Sequence, residues 1–232
     1  MMVNENHYGR WPNCLWLLPM LMVLGGCGGL SARDRALEQW WTESIPRQVS
    51  SRDMNQNGLS DTDDIITGGR LEIKRRPRYQ SVYYPGGGYP PAGEGVCADA
   101  IWRALAHAGY SFKSMIDLDI KNLTSAYPRV AGQPDPDIDF RRVSNQKIFF
   151  QRYGQTLTTI IRPGDALNLV QWQPGDLVTF KDPDHIAILS TRRNRQGVPY
   201  LIHNPGPRPV EADDLWGLYQ RGRLTGHYRF PE

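Results

Sequence analysis

The spacing of apolar residues changes character once along this chain, and that change restricts the fold more than any other feature. From Cys97 onward, Ile101, Leu105 and Ala108 recur at i, i+4 and i+7 spacing with Gly109 behind them, which predicts a helix starting near Cys97 and stopping at Gly109. Residues 111–153 read as further helical pieces, interrupted by Pro128, Pro134 and Pro136. After the turn Gln173-Pro174-Gly175-Asp176 the pattern is that of short strands, over Leu177–Phe180, 185–189 and Pro199–His203, with 227–230 as a late addition. Helices followed by an antiparallel meander make an α+β order, with the Cys-bearing helix packed on the sheet.

The N-terminal residues are predicted to stand apart from that domain. Arg10 precedes an apolar run over 15–24, too short to span a bilayer as a mature helix, and the run ends in Leu24-Gly25-Gly26-Cys27. That ending resembles the lipobox of bacterial lipoproteins. The resemblance implies a signal peptide over 1–26, acylation of Cys27, and a cell-envelope location on the periplasmic face of the outer membrane. Residues 27–52 then read as a tether with a short helix, whose Trp40 and Trp41 are expected to dock on something apolar. Residues 53–78 read as a loop and an entry helix, and 79–232 as the main domain. A formal net charge of +3, evenly spread, gives no electrostatic footprint for nucleic acid. The domain is expected to be a monomer.

Export changes the cysteine arithmetic. Of three Cys, Cys14 leaves with the leader and Cys27 carries the lipid, so Cys97 is the sole thiol of the mature chain. An unpaired thiol in an oxidising compartment is a liability unless buried or used. Gly95-Val96-Cys97-Ala98-Asp99 sets it at a helix start, where free N–H groups and the dipole favour a thiolate and can line an oxyanion hole. The bland alternative is a buried Cys acting as a small hydrophobe.

A thiol nucleophile needs an imidazole close by. Among five His, His7 lies in the leader, His107 sits at the far end of the Cys helix, and His227 has no evident partner, which leaves His185 and His203. Pairing Leu189 with Pro199 places His185 opposite His203, on one face with Cβ atoms about 5 Å apart. His185 is therefore the expected base, forming a thiolate–imidazolium pair with Cys97, and His203 its orienter. A one-residue slip substitutes Asn204 as the alternative.

Oxygen-bearing side chains also fall at positions 1, 3, 5, 9 and 12 of the stretch 53–64, with Gly58 at position 6. Asp53, Asn55, Asn57, the Leu59 carbonyl, Asp61 and Asp64 would supply the hard ligands of a structural calcium site. The loop resembles dockerin and thrombospondin type 3 repeats more than an EF-hand, because position 12 is Asp. A plain polar turn is the competing reading. No cofactor is expected for catalysis.

Taken in order, Gly95-Val96-Cys97-Ala98-Asp99, Pro174-Gly175-Asp176-Leu177-Val178, His185-Ile186-Ala187-Ile188 and Leu201-Ile202-His203-Asn204 resemble the NlpC-type cell-wall peptidases of the papain-like superfamily. Closer still is the resemblance to an uncharacterised bacterial family, domain of unknown function 1287, on the Gly-Val-Cys segment, Asp139-Phe140-Arg141-Arg142-Val143 and Gly226-His227-Tyr228-Arg229. It covers roughly residues 53–232. The resemblance implies a papain-like cysteine hydrolase that cleaves an amide through an acyl-enzyme, with peptidoglycan stem peptides or another envelope molecule as substrate. Thiol acyltransferases and lipid amidases or esterases share that fold, and a non-enzymatic envelope-binding lipoprotein is the further alternative. In the relatives a Tyr before the Cys assists the oxyanion, a role for which Tyr83, Tyr84 and Tyr89 compete. Arg141 or Arg142 could grip a substrate carboxylate, against the plainer reading of ion pairs with Asp137, Asp139 or Asp99.

Overall fold

The computed structural model describes residues 30–231. The expected signal peptide over 1–26, with Cys14, and the expected lipidation residue Cys27 lie outside the described residues. No helix among the described residues is long and apolar enough to cross a membrane.

The helices are α1 (Ala32–Ser44), α2 (Asp61–Arg75), α3 (Cys97–His107), α4 (Phe112–Asn122), α5 (Val143–Tyr153), α6 (Ala166–Leu169) and α7 (Leu215–Gln220). The strands are β1 (Arg78–Tyr79), β2 (Glu94–Gly95), β3 (Gln155–Thr156), β4 (Leu177–Phe180), β5 (His185–Arg193), β6 (Pro199–His203), β7 (Val210–Ala212) and β8 (Leu224–Arg229). Six strands form one antiparallel sheet in the order β3-β8-β4-β5-β6-β7, and the short β1 and β2 pair in parallel beside it. The expected α+β architecture, with the helix that carries Cys97 packed on an antiparallel sheet, is what the chain adopts.

The central strands read as near-continuous apolar runs because both faces of the sheet are covered. Leu177, Ile186, Ile188, Ile202 and Tyr228 pack on one side against Ile65 and Ile66 of α2, Ile101 and Leu105 of α3, and the Phe149–Phe150 pair of α5. Val178, Phe180, Ala187, Leu189 and Leu201 face the other way, toward Trp41 of α1, Leu169, Trp172 and Leu215. The period-2 alternation of strand side chains sorts these residues between two cores.

Two N-terminal elements expected at the periphery are structural. Trp41 is buried, and its indole N–H donates to the Arg195 carbonyl (3.1 Å), so α1 is clamped to the β5–β6 turn. Trp40 remains exposed. Helix α2, capped by Ser60 accepting from the Asp63 amide, lies so close to α3 that a Cβ on Gly68 would come within 2.8 Å of the Ala104 Cα. Only glycine permits that approach.

Candidate active site

The site is assembled where α3 begins against the start of β5. Val96 has no side chain able to cap α3, and Asp99 does the work instead, its Oδ2 accepting from the Val96 amide at 2.8 Å. Asp99 is fully buried and also receives Trp102 Nε1 (2.9 Å) and a two-pronged contact from Arg141, at 2.8 and 2.9 Å. The first turn of the helix that carries Cys97 is thus fixed by one satisfied carboxylate. Asn204 Nδ2 reaches back to the Gly95 carbonyl (3.2 Å) and ties down the residue pair before Cys97.

Cys97 is 4% exposed. The amides of Ile186 and Ala98 lie against its sulfur and favour the thiolate, but burial outweighs them and pushes the thiol up to about 11. Ile186 is the residue directly after His185, so the sulfur sits beside the peptide that carries the candidate base. His185 Nε2 and His203 Nδ1 are 2.8 Å apart, and His203 Nε2 lies 3.1 Å from Asp214 Oδ2.

This chain of contacts fixes the tautomers. The His203 hydrogen bond, ahead of other influences, holds Asp214 below the usual carboxylate range, so Asp214 is an acceptor and His203 carries its proton on Nε2. His203 Nδ1 is then an acceptor, which obliges His185 to carry its proton on Nε2 and leaves the Nδ1 lone pair of His185 free. Burial first, and His203 second, push His185 down to about 3. Removal of charge from water is the first cause of both shifts, and both directions favour a neutral thiol and a neutral imidazole. Burial thus works against the thiolate–imidazolium pair expected from the sequence.

The expected strand register is corrected by two residues. Leu189 pairs with Leu201 and Ile188 with Ile202, while Pro199 pairs with Arg193 across a bulge. The strands thus run on to a tighter turn, in which Asn194 Oδ1 accepts from the Gln196 and Val198 amides. His203 sits diagonal to His185 instead of opposite it. A shift of two preserves the face, so the rings still meet, with centroids 5.0 Å apart at 72°.

Other sequence-predicted residues fall elsewhere. Arg141 is committed to Asp99, and Arg142 to Asp139 at 2.6 Å, so neither is presented to a substrate. Tyr84 donates to Glu94 (2.8 Å) beneath the Arg141 guanidinium, Tyr83 reaches Asp135, and Tyr89 packs on Trp102 and Phe140. Tyr79 is the tyrosine that strand pairing brings level with Gly95, two residues before Cys97. Its phenol is raised above the ordinary value by burial, then by the Cys97 and Asp99 charges, so it keeps its proton as a donor. Sequence reasoning missed Tyr79 because the parallel β1–β2 pairing that brings it level with Gly95 involves two residues on each side. It also missed Asp214. An acidic residue just before an apolar segment was the available signal, without any spacing that ties it to His203.

The family described as a domain of unknown function, DUF1287, matches residues 66–230. The chain belongs to this family. The uncharacterized protein YijF of Escherichia coli strain K12 is 33% identical over 159 residues, which cover 66% of this chain and 72% of that protein. No solved structure matches the chain. The DUF1287 segment contains Tyr79, Cys97, His185, His203 and Asp214, and it excludes both α1 and the 53–64 loop.

Outside the DUF1287 segment, that loop closes on its own polar groups. Asp53 accepts from the amides of Asn57 (3.0 Å) and Gly58 (2.8 Å), and Asn55 and Asn57 donate to the buried Asp64 at 2.8 and 3.0 Å. Leu59 hydrogen-bonds through its amide to Asn57 Oδ1. Asp61 turns away, to the Met54 amide and to the Tyr110 hydroxyl at 2.5 Å. Asn55 and Asn57 present their amide N–H groups to Asp64 while their oxygens accept from the Asn57 and Leu59 amides, so the oxygens do not converge as a cation would require, and Asp61 does not join them. Among the described residues no group of three or more His, Cys, Asp or Glu is gathered around a metal-sized space.

Proposed function

We propose that this chain is a papain-like cysteine hydrolase of the NlpC kind, lipid-anchored through Cys27, that cleaves amide bonds in peptidoglycan stem peptides. The supporting observation is the chain Asp214–His203–His185, together with the Ile186 amide, one residue after His185, lying against the Cys97 sulfur. Such an arrangement suits general-base catalysis. As the sulfur attacks the carbonyl carbon, the thiol proton passes to His185 Nδ1 and the carbonyl π pair moves to oxygen. The imidazolium so formed donates through Nε2 to His203, which Asp214 holds in place. The oxyanion would take hydrogen bonds from backbone N–H groups at the start of α3 and from the Tyr79 hydroxyl. Collapse expels the amine, which takes the proton from His185. Water then attacks the thioester with His185 again as base, releasing the acid and restoring the thiol.

The near-complete enclosure of Cys97 favours one competitor, an envelope-binding module in which the thiol is only packing. Incubation with defined muropeptides, read by mass spectrometry, separates the two. Wild type is expected to release a shortened peptide and Cys97→Ala to release none. Intact muropeptides with wild type would leave the binding module. Calcium binding by the 53–64 loop is a separate proposal, resting on the spacing of its oxygen-bearing residues. It requires Asp61 to leave Tyr110, and a calorimetric titration without heat would dismiss it.

A further inference from the structure

The turn between β5 and β6 is held from two sides. Helix α1 lies against it through the Trp41 indole and through Arg195, whose guanidinium donates to Asp34 (3.1 Å). Asn194, 6% exposed, reaches the other way and donates from Nδ2 to Asp213 Oδ1 (2.8 Å), just ahead of α7. Its Oδ1 accepts from the Gln196 and Val198 amides, so the orientation of this side chain is fixed. A hollow of about 630 Å³ is left between α1, the turn and α7. Three residues of its wall, Arg33, Asp34 and Leu37, lie outside the DUF1287 segment.

The lining has a definite chemistry. Its charges cancel, since Arg33 and Arg195 are matched by Asp34 and Asp213. Net charge therefore draws neither an anion nor a cation into the hollow. Trp216 supplies an aromatic wall, and its ring stacks on Tyr219 with centroids 5.3 Å apart and 20° between the planes. Around this wall stand polar groups that the fold leaves unused. The side-chain amides of Gln196 and Gln220, the Arg33 guanidinium, Trp216 Nε1 and Asp213 Oδ2 have no hydrogen-bond partner among the described residues.

We infer that this hollow is a binding site for an uncharged saccharide. A pyranose offers a face of C–H groups, which suits the electron-rich face of an indole, and a rim of hydroxyls that each donate and accept. Side-chain amides donate and accept as well. The carboxylate of Asp213, held by a buried asparagine through one oxygen, presents the other to a hydroxyl at little cost in ordering. A charged ligand would meet a like charge with every opposite one. The site goes beyond the hydrolase reading and does not rest on it, because Cys97, His185, His203 and Asp214 take no part in the lining.

The test is calorimetry on the full chain, kept in a detergent without a sugar headgroup, with the N-acetylglucosamine trimer and with maltotriose. Saturable binding of at least one of them is expected, with a Kd of about 1 mM or tighter. Preference for the acetamido sugar identifies glycan-strand chemistry, and equal binding identifies a general polysaccharide site. Gln196→Ala/Gln220→Ala should weaken binding by about tenfold, the loss expected for two hydrogen bonds. Its Tm should stay unchanged, since neither amide holds anything in the fold. Trp216→Ala should abolish binding and Trp216→Phe restore part of it, which separates the loss of an aromatic face from loss of packing. Salt should have little effect. No saturable binding of either sugar at about 10 mM would overturn the site. So would a Gln196→Ala/Gln220→Ala chain that binds as wild type does, or an affinity that collapses at high salt.

Discussion

At the residue scale, the two groups proposed for the chemistry have been moved in opposite directions by the same burial. Cys97 is pushed up to about 11 and His185 down to about 3. Alkylation of the native protein by iodoacetamide should therefore be slow at pH 6–7 and climb only above the free-thiol value of about 8.5. A rate already at its plateau near neutrality would show a resting thiolate and contradict the neutral pair. The stability consequence has a definite sign. A raised thiol pKa contributes stability that is present below the ordinary thiol value and lost as pH rises through about 11. In turnover, His185→Ala should cost on the order of 10²–10⁴-fold in kcat, the usual worth of a positioned base. His203 and Asp214 act through His185. Asp214→Asn frees the tautomer of His203, so it should lower kcat and alter its pH profile while leaving KM nearly unchanged. An Asp214→Asn enzyme with wild-type kcat and pH profile would remove Asp214 from the relay.

At the scale of elements, α3 is held at its first turn by Asp99, and the neighbouring Arg141 is the counterion that makes that buried carboxylate tolerable. Leaving one member of such a pair alone is costly. Asp99→Asn should destabilise the fold by about 3–5 kcal/mol by denaturant titration, because Arg141 stays buried without an anion. A change under 1 kcal/mol would show that the pair relaxes into water. Much of this level was legible in the sequence. The Cys97 helix, β4 and β6 sit where periodicity and the Pro174-Gly175 turn place them. The α1 helix and the broken helical region over 111–153 are also as read. Elements of two or three residues, β1, β2, β3 and β7, were not legible, since so short a run has no period to detect. The register of β5 with β6 was missed because a bulge takes up the difference between Arg193 and Pro199, and bulges depend on the neighbouring strand.

At the scale of the whole molecule, the described residues from Ser31 onward form one compact unit, so α1 is part of the domain's second core and not a spacer. Trp41 fills the space above Leu169 and Gly197, where a Cβ on Gly197 would already come within 2.8 Å of the indole. Trp41→Ala should lower stability by about 3 kcal/mol, with a matching fall in Tm by calorimetry. An unchanged Tm would return α1 to the status of a tether. The sequence by itself determined the α+β order, because helix and strand periodicities are local properties of the chain. It also determined that Cys97, His185 and His203 were the residues to examine, through side-chain chemistry and strand parity, which survives a two-residue error in register. Only the tertiary structure decided that Asp214 meets His203, that Tyr79 and not Tyr84 or Tyr89 is brought level with Gly95, and that Arg141 is spent on Asp99. It also set the direction of the two pKa shifts, since burial depends on how the elements close around Cys97 and His185, and no local pattern encodes how much water is left.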